Sequence, residues 1–470
     1  MTFQYAADDA ETGFLTRYAL TCGYLRGRFD IPKILGPTDE LGKYESDIWE
    51  ARDAIRITEL GDPPKSSDLS ALLAKLFKFT VGYLRWEPRN PSRLHSAIPR
   101  PGGGAFCTRI YLSASDGQGH CRHWCYDPNS ESLYVVGETG DDGAGLVISV
   151  VADVSRIANA YGDFALTLAM LEGGHCSAQL AMLLGALDEP FDWAEGTPLA
   201  LPIDHQMQIG IGQFRLERDD AAEILSDQPT RPTTVGTPIA PEYFTGRHAV
   251  MLRAARSVAR PIKNAAKAAI IFKPSQIDLA QLEQAALDRS SGLQGEGFVP
   301  RPVLDEAGFH VMLTNWRRMS ECVRTDRHLP IRMRIALMQV EGVAPQLAEY
   351  DLPSGELRQL SDQSPAMALR RHVGLGAGYN FDLFTCVLIM TCPVNERILR
   401  DGPGGYRALL AEAGALGQTY CMASTAAGLF ARPFRAYSEA ALETYFGFED
   451  QMVYMILCGG NRIINPAFPL

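Results

Sequence analysis

Apolar residues in this 470-residue chain fall into two long, nearly uncharged blocks and several short alternating runs. Phe164 to Leu187 (FALTLAMLEGGHCSAQLAMLLGAL) holds one formal charge, Glu172, and Gly405 to Ala431 (GYRALLAEAGALGQTYCMASTAAGLFA) is similarly apolar. Each could span a bilayer by length. Each also carries Glu, Gln, Ser or Thr and several glycines, and neither has a basic flank on one side. The pattern predicts two helices buried on nearly all faces inside protein. Ahead of each lie strand-like runs: CTRIYLSA and GLVISVVADV before the first, IRMRIALMQ and FTCVLIMTCPV before the second.

The two helices align on Glu172-x-Gly174 and Glu412-x-Gly414, which sets Gly145 opposite Thr385 without a gap. Further upstream, HWCYDPNSESL aligns with QLAEYDLPSGEL, matching Tyr126-Asp127 to Tyr350-Asp351 and Leu133 to Leu357. Each half reads strand, turn, strand, an irregular piece, strand, long buried helix. This is an internal repeat of α+β character. The expected organisation is a helical accessory segment over 1–64, a first unit over 65–190, a linker over 191–280 and a second unit over 281–470. Within the linker, Asp227 to Pro241 (DQPTRPTTVGTPIAP) is loop by composition. A basic helical stretch with Arg253, Arg256, Arg260, Lys263 and Lys267 follows it, interrupted at Pro261. Its ordinary role is a solvated face.

The run GHCRHWCYD (residues 119–127) has the composition of a metal site. Its His and Cys residues are not repeated in the second half, and its C-x3-C spacing has no second cluster. No metal is expected. What repeats is Tyr-Asp followed by a turn, a hairpin signal. A net charge of −11 excludes nucleic acid as the main partner. Ten irregularly spaced cysteines and no apolar leader read as reduced thiols in a cytoplasmic protein.

Common catalytic signatures such as G-x-S-x-G, H-E-x-x-H and the Walker lysine loop are absent. Gly374, Gly376 and Gly378 read as loop. Two weak half-sites remain. Gly102, Gly103 and Gly104, within Pro101–Ala105, precede a first-half strand and would let backbone N–H groups approach a ligand. Arg289, Ser290 and Ser291 lead into the second half and suit a phosphate. The second half has Thr325 to His328 in the glycine position, and the first shows no Arg-Ser-Ser. One half-site per copy would make a single full site between copies.

These motifs, in this order, resemble the nitroreductase-like flavoproteins, and most nearly the tandem azoline dehydrogenases of azole-modified peptide biosynthesis. Those proteins carry R-x-S, P-S-x-G, a Tyr-Asp-Pro hairpin and a Tyr-Arg-x4-Glu-Ala-Gly-His-x2-Gln-Asn helix. The matches here are Arg289-Ser290-Ser291, Pro101 to Ala105, Tyr126-Asp127-Pro128, Glu172 to His175, Tyr406-Arg407 with Glu412-Ala413-Gly414 and Gln418, and Gly428-Leu429 with Pro433. The likeness covers roughly 65–190 and 280–460. It implies two fused nitroreductase-like domains forming an intramolecular pseudo-dimer, either monomeric or further dimerised. It also implies FMN (flavin mononucleotide) between them. Arg289, Ser290 and Ser291 would hold the phosphate, with Gln418 in the cofactor site. Gly102 to Gly104 would approach the flavin, and Phe434, Arg435 and Ala436 would face its reactive edge. Tyr161 would handle a proton, and a peptide substrate and a cyclodehydratase complex would be the partners. Two departures stand out. Gly102 replaces the family serine, and Ala160 stands where azoline dehydrogenases carry a lysine. They leave open a flavin-dependent reductase of a small electron-poor or dehydroamino-acid substrate, or a non-catalytic scaffold.

Overall fold

The computed structural model describes residues 10–21, 54–56, 67–86, 94–99, 107–115, 120–140, 145–196, 201, 207–218, 249–262, 271–274, 277–293, 297–324, 329–373, 379–463 and 468–469. Strands in the first part of the chain are β1 (Ala54–Arg56), β2 (Arg85–Trp86), β3 (Leu94–His95), β4 (Thr108–Ser115), β5 (His120–Asp127), β6 (Ser132–Gly140), β7 (Leu146–Asp153), β8 (Phe191–Glu195) and β9 (Gln208–Leu216). The remainder are β10 (Ile271–Phe272), β11 (Val323–Arg324), β12 (Arg332–Leu337), β13 (Gln346–Asp351), β14 (Glu356–Ser361), β15 (Cys386–Cys392), β16 (Phe430–Phe434), β17 (Gln451–Gly459) and β18 (Phe468–Pro469). The helices are α1 (Ala10–Thr21), α2 (Ser67–Lys78), α3 (Ser155–Tyr161), α4 (Ala165–Ala186), α5 (Ala249–Val258), α6 (Leu279–Asp288), α7 (Glu306–Ser320), α8 (Ala366–His372), α9 (Val394–Asp401), α10 (Pro403–Ala426) and α11 (Glu439–Phe446).

Two antiparallel sheets share one plan. The first runs β1-β6-β5-β4-β7-β9-β8, the second β14-β13-β12-β15-β17-β16. Apart from the edge strand β1, the orders are equivalent. Register agrees as well: Tyr126 opposes Leu133 as Tyr350 opposes Leu357. Both hairpins shift register at matching places, His123/Trp124 and Leu347/Ala348. Both central pairs do so at Val150/Val151 and Met390/Thr391. Bulges add a residue to one strand and are specific features of a fold, so their coincidence shows that the halves are alike in detail.

The predicted buried helices are α4 and α10, and nearly every residue of each is buried. They cross where glycines allow backbone contact. A Cβ on Gly174 would lie 2.0 Å from the Ala411 carbonyl oxygen, and one on Gly414 would lie 2.0 Å from that of Leu171. The contact is reciprocal, as at a two-fold interface. One apolar core takes in both helices and faces of both sheets. Among the described residues no helix is long and apolar enough to cross a membrane.

Residues outside the expected first unit join its sheet. The 191–280 stretch, expected as linker, supplies β8 and β9, and the 1–64 stretch supplies β1. Among the described residues the basic stretch is helical over α5, where Arg253 and Arg256 are exposed. Lys263 and Lys267, the 227–241 loop, and Gly374, Gly376 and Gly378 lie outside the described residues.

Candidate functional site

The His- and Cys-rich run forms strand β5 from His120 to Asp127. His123 is buried, with Nδ1 2.8 Å from Ser113 Oγ and Nε2 2.8 Å from Thr139 Oγ1. Two neighbouring hydroxyls therefore occupy both ring nitrogens. The repeated Tyr-Asp is structural too. The Tyr126 ring packs 5.0 Å from Phe77 of α2, and Tyr350 stacks 5.3 Å from Trp316 of α7. The Asp127 carboxylate accepts the N–H groups of Asn129 and Ser130, both at 3.2 Å, and that of Asp351 accepts Ser354 N–H at 3.1 Å. Tyrosine anchors each hairpin to a helix and aspartate caps its turn.

Arg289, Ser290 and Ser291 follow the last turn of α6, whose start is capped by Asp278 accepting Gln281 N–H at 2.7 Å. Arg289 is buried. Its Nε donates to Ser96 O at 3.1 Å and its Nη1 to Ser291 Oγ at 3.2 Å. The segment is docked on β16: Ala431 N donates to Ser290 O at 3.0 Å, and Arg432 donates to Ser291 O at 2.5 Å and Gly292 O at 3.0 Å. Ser96 belongs to the first half, five residues before Pro101. The structure thus brings the second-half arginine to the turn that leads into the glycine segment. Gly102, Gly103 and Gly104 themselves lie outside the described residues.

Gln418 of α10 joins this turn from below. Its Nε2 donates to Ala97 O at 3.2 Å and to Gln179 Oε1 at 2.8 Å. Its Oε1 meets His175 Nδ1 at 2.9 Å, and His175 Nε2 lies 2.9 Å from the Tyr454 hydroxyl. Gln179 Nε2 in turn donates to Phe79 O at 3.0 Å. Donors and acceptors pair in one direction only: Tyr454 O–H to Nε2, Nδ1–H to Gln418, Gln418 to Gln179, Gln179 to Phe79. Burial pushes the His175 pKa down to about 3, the bond to Gln418 opposes this, and the nearby Arg289 charge adds to it. The imidazole is therefore neutral. Burial raises the Tyr454 hydroxyl well above its ordinary value, so it keeps its proton.

Beside this cluster, Arg432 to Ala436 form a half-buried run between buried Ala431 and Tyr437. Arg435 Nη1 donates to Val453 O at 2.5 Å and to Tyr437 Oη at 2.7 Å, and Nη2 lies 3.4 Å from Glu439. The Phe164 ring, from the first half, sits 5.6 Å from its guanidinium. Tyr161 ends α3, half-buried against the main core, three residues before Phe164. Arg289, Gln418 and the Arg435 segment are thus held on elements of the second half that contact the first.

The equivalent place across the pseudo-two-fold is built differently. Ala415 and Ala178 replace the His175–Gln418 pair, and Glu195 stands where the second half has Arg435. Gly212 replaces Tyr454 and lies under Trp193, whose ring a Cβ there would meet at 2.2 Å. That ring packs 4.8 Å from Phe214 and 4.6 Å from Phe272. Aromatic side chains and a buried Arg407 near Glu195 occupy the second place, where the first has His175, Gln418 and Tyr454.

Buried Arg289 with the flanking hydroxyls of Ser290 and Ser291 is a donor set suited to an anionic group, and the FMN phosphate fits those residues. Sequence reasoning placed Arg289 and Gln418. It matched His175 only as part of the helix motif, and it missed the roles of Gln179, Tyr454 and the clamp made by Arg432. The one available signal was complementarity: His175 faces Ala415 in the alignment, and Gln418 faces Ala178.

No family model matches the chain, and no curated protein matches it. Among solved structures, a protein assigned as a nitroreductase from Anabaena variabilis is 18% identical and superposes with a TM-score of 0.70 over 96% of this chain and 99% of that one. The fold is nitroreductase-like. Two further solved structures each align with 38% of the chain. They are the E. coli microcin synthetase McbBCD complex with truncated pro-MccB17 bound (15% identity, 71% of that chain, TM-score 0.31) and a protein assigned as a nitroreductase from Ralstonia eutropha (17%, 82%, 0.27). The match to the Anabaena structure spans both halves, so the paired nitroreductase-like architecture extends through the whole chain.

Proposed function

We propose that this protein is an FMN-dependent oxidoreductase with one cofactor site between its halves, and that it oxidises azoline rings of a ribosomal peptide to azoles. The observation that carries this is the junction of Arg289 with Ser96, because it ties the Arg-Ser-Ser of one copy to the turn five residues before the glycine run of the other. FMN, when bound, supplies a two-electron acceptor. Arg289 with Ser290 and Ser291 neutralises and orients the phosphate. Gly102, Gly103 and Gly104 give close backbone approach from the other half, and Phe434, Arg435 and Ala436 line the reacting edge. Tyr161 holds the proton that the substrate gives up. The chain arose by tandem duplication and works in the cytoplasm, alongside the cyclodehydratase that forms the rings.

Ala160, in place of the lysine of azoline dehydrogenases, favours a second reading: a flavin-dependent reductase supplied by a nicotinamide donor. Incubation with an azoline-containing peptide in air separates the two. A mass decrease of one dehydrogenation per ring, abolished in Arg289→Ala and slowed in Tyr161→Phe, supports the dehydrogenase. No mass change, with rapid bleaching of bound flavin by NAD(P)H, supports the reductase.

A further inference from the structure

The polar crossing between α4 and α10 occurs once, and its symmetry mate is a pair of alanines. That asymmetry calls for a function beyond packing. The Gln418 amide has two orientations of nearly equal shape. In the observed one, its nitrogen faces two oxygens, Ala97 O and Gln179 Oε1. Flipped, its oxygen would face both, and the bond to the 96–98 turn would be lost. Both of those oxygens favour the observed orientation, and His175 adds to that preference. With the Tyr454 hydroxyl donating to Nε2, Nδ1 carries the hydrogen, and only an oxygen is accepted opposite it. The neighbouring peptide of the same turn, at Ser96, accepts from Arg289 Nε, and Ser96 Oγ donates to Ile98 O at 2.9 Å. The turn is thus fixed from both sides.

We propose that His175 is a positioning residue for the Arg289 site. Through the Gln418 amide it holds the Ser96–Ile98 turn, and that turn aims the guanidinium at the cofactor phosphate. This rests on the FMN reading above. The test is a fluorescence titration of FMN into the full-length apoprotein, with thermal unfolding of the same samples. His175→Ala raises the FMN dissociation constant by roughly tenfold, the worth of about one buried hydrogen bond. His175→Asn recovers most of that loss, because its amide nitrogen can take the place of Nδ1. A folded His175→Ala that binds like the unmodified protein overturns the inference, as does His175→Asn binding no better than His175→Ala. Should His175→Ala fail to fold, Tyr454→Phe carries the test, since it leaves the ring but frees the other tautomer. Several-fold weaker binding supports the proposal, and unchanged binding overturns it. Failure of the unmodified protein to take up FMN removes the cofactor reading itself, an outcome distinct from all of these.

Discussion

A neutral imidazole buried at His175 makes stability depend on acid in a defined window. Its pKa falls to about 3 in the folded protein, against an unfolded value near 6.5. Between these values the unfolded chain binds a proton that the folded one does not, so stability rises with pH there. The contribution is complete above about pH 6.5 and is lost as pH falls, by about 1.4 kcal/mol per unit. Urea unfolding from pH 7 to 5 should show this loss, and His175→Asn should flatten it. Arg289 makes a second residue-level prediction. Arg289→Lys keeps the charge but cannot hold Ser96 O and Ser291 Oγ with one planar group, so FMN affinity should fall roughly tenfold in a fluorescence titration. Arg289 and Gln418 were legible because motif order marks them. His175 stands in the same matched motif, but its role was not legible, because a histidine in an apolar helix acquires one only when its partner across the interface, Gln418, is known.

At the scale of elements, the helix crossing is the most constrained contact. A methyl on Gly414 would meet the Leu171 carbonyl at 2.0 Å, and backbone cannot step aside as a side chain can. Gly414→Ala and Gly174→Ala should each cost at least about 3 kcal/mol or prevent folding, measured by thermal unfolding. Gly140→Ala, at the end of β6 with nothing within 4 Å of the added methyl, should be near neutral. The same demand made the repeat readable: both copies need glycine two residues after the buried glutamate, and both hairpins need Tyr-Asp. The glutamates are used differently in the two halves. Glu172 accepts Cys107 and Thr108 N–H at 3.0 and 2.8 Å. In the second half Pro330 stands at the Cys107 position and lacks that donor, and Glu412 pairs with Arg397, which donates to Leu329 O at 3.1 Å. Strands β8 and β9 stayed hidden in the sequence. FDWAE mixes polar and apolar positions without a clear period, and glycines interrupt QIGIGQFRL. Their partner strands β16 and β17 are separated by the helix α11, so the spacing did not echo.

For the whole molecule, pseudo-symmetry of the scaffold coexists with asymmetry of the sites. Paired sheets and crossed helices follow from repeated apolar patterns, which sequence displays directly. How the two equivalent places differ depends on side chains far apart in the chain, and only their meeting in space reveals it. His175 and Gln418 pair beside Arg289 at one of the two places, and Trp193, Phe214 and Phe272 pack together at the other. Flavin stoichiometry tests this most directly. The purified full-length protein is saturated with FMN, desalted and denatured, and released flavin is measured by absorbance against protein concentration. The account predicts one FMN per chain. Two per chain, or none, would contradict it.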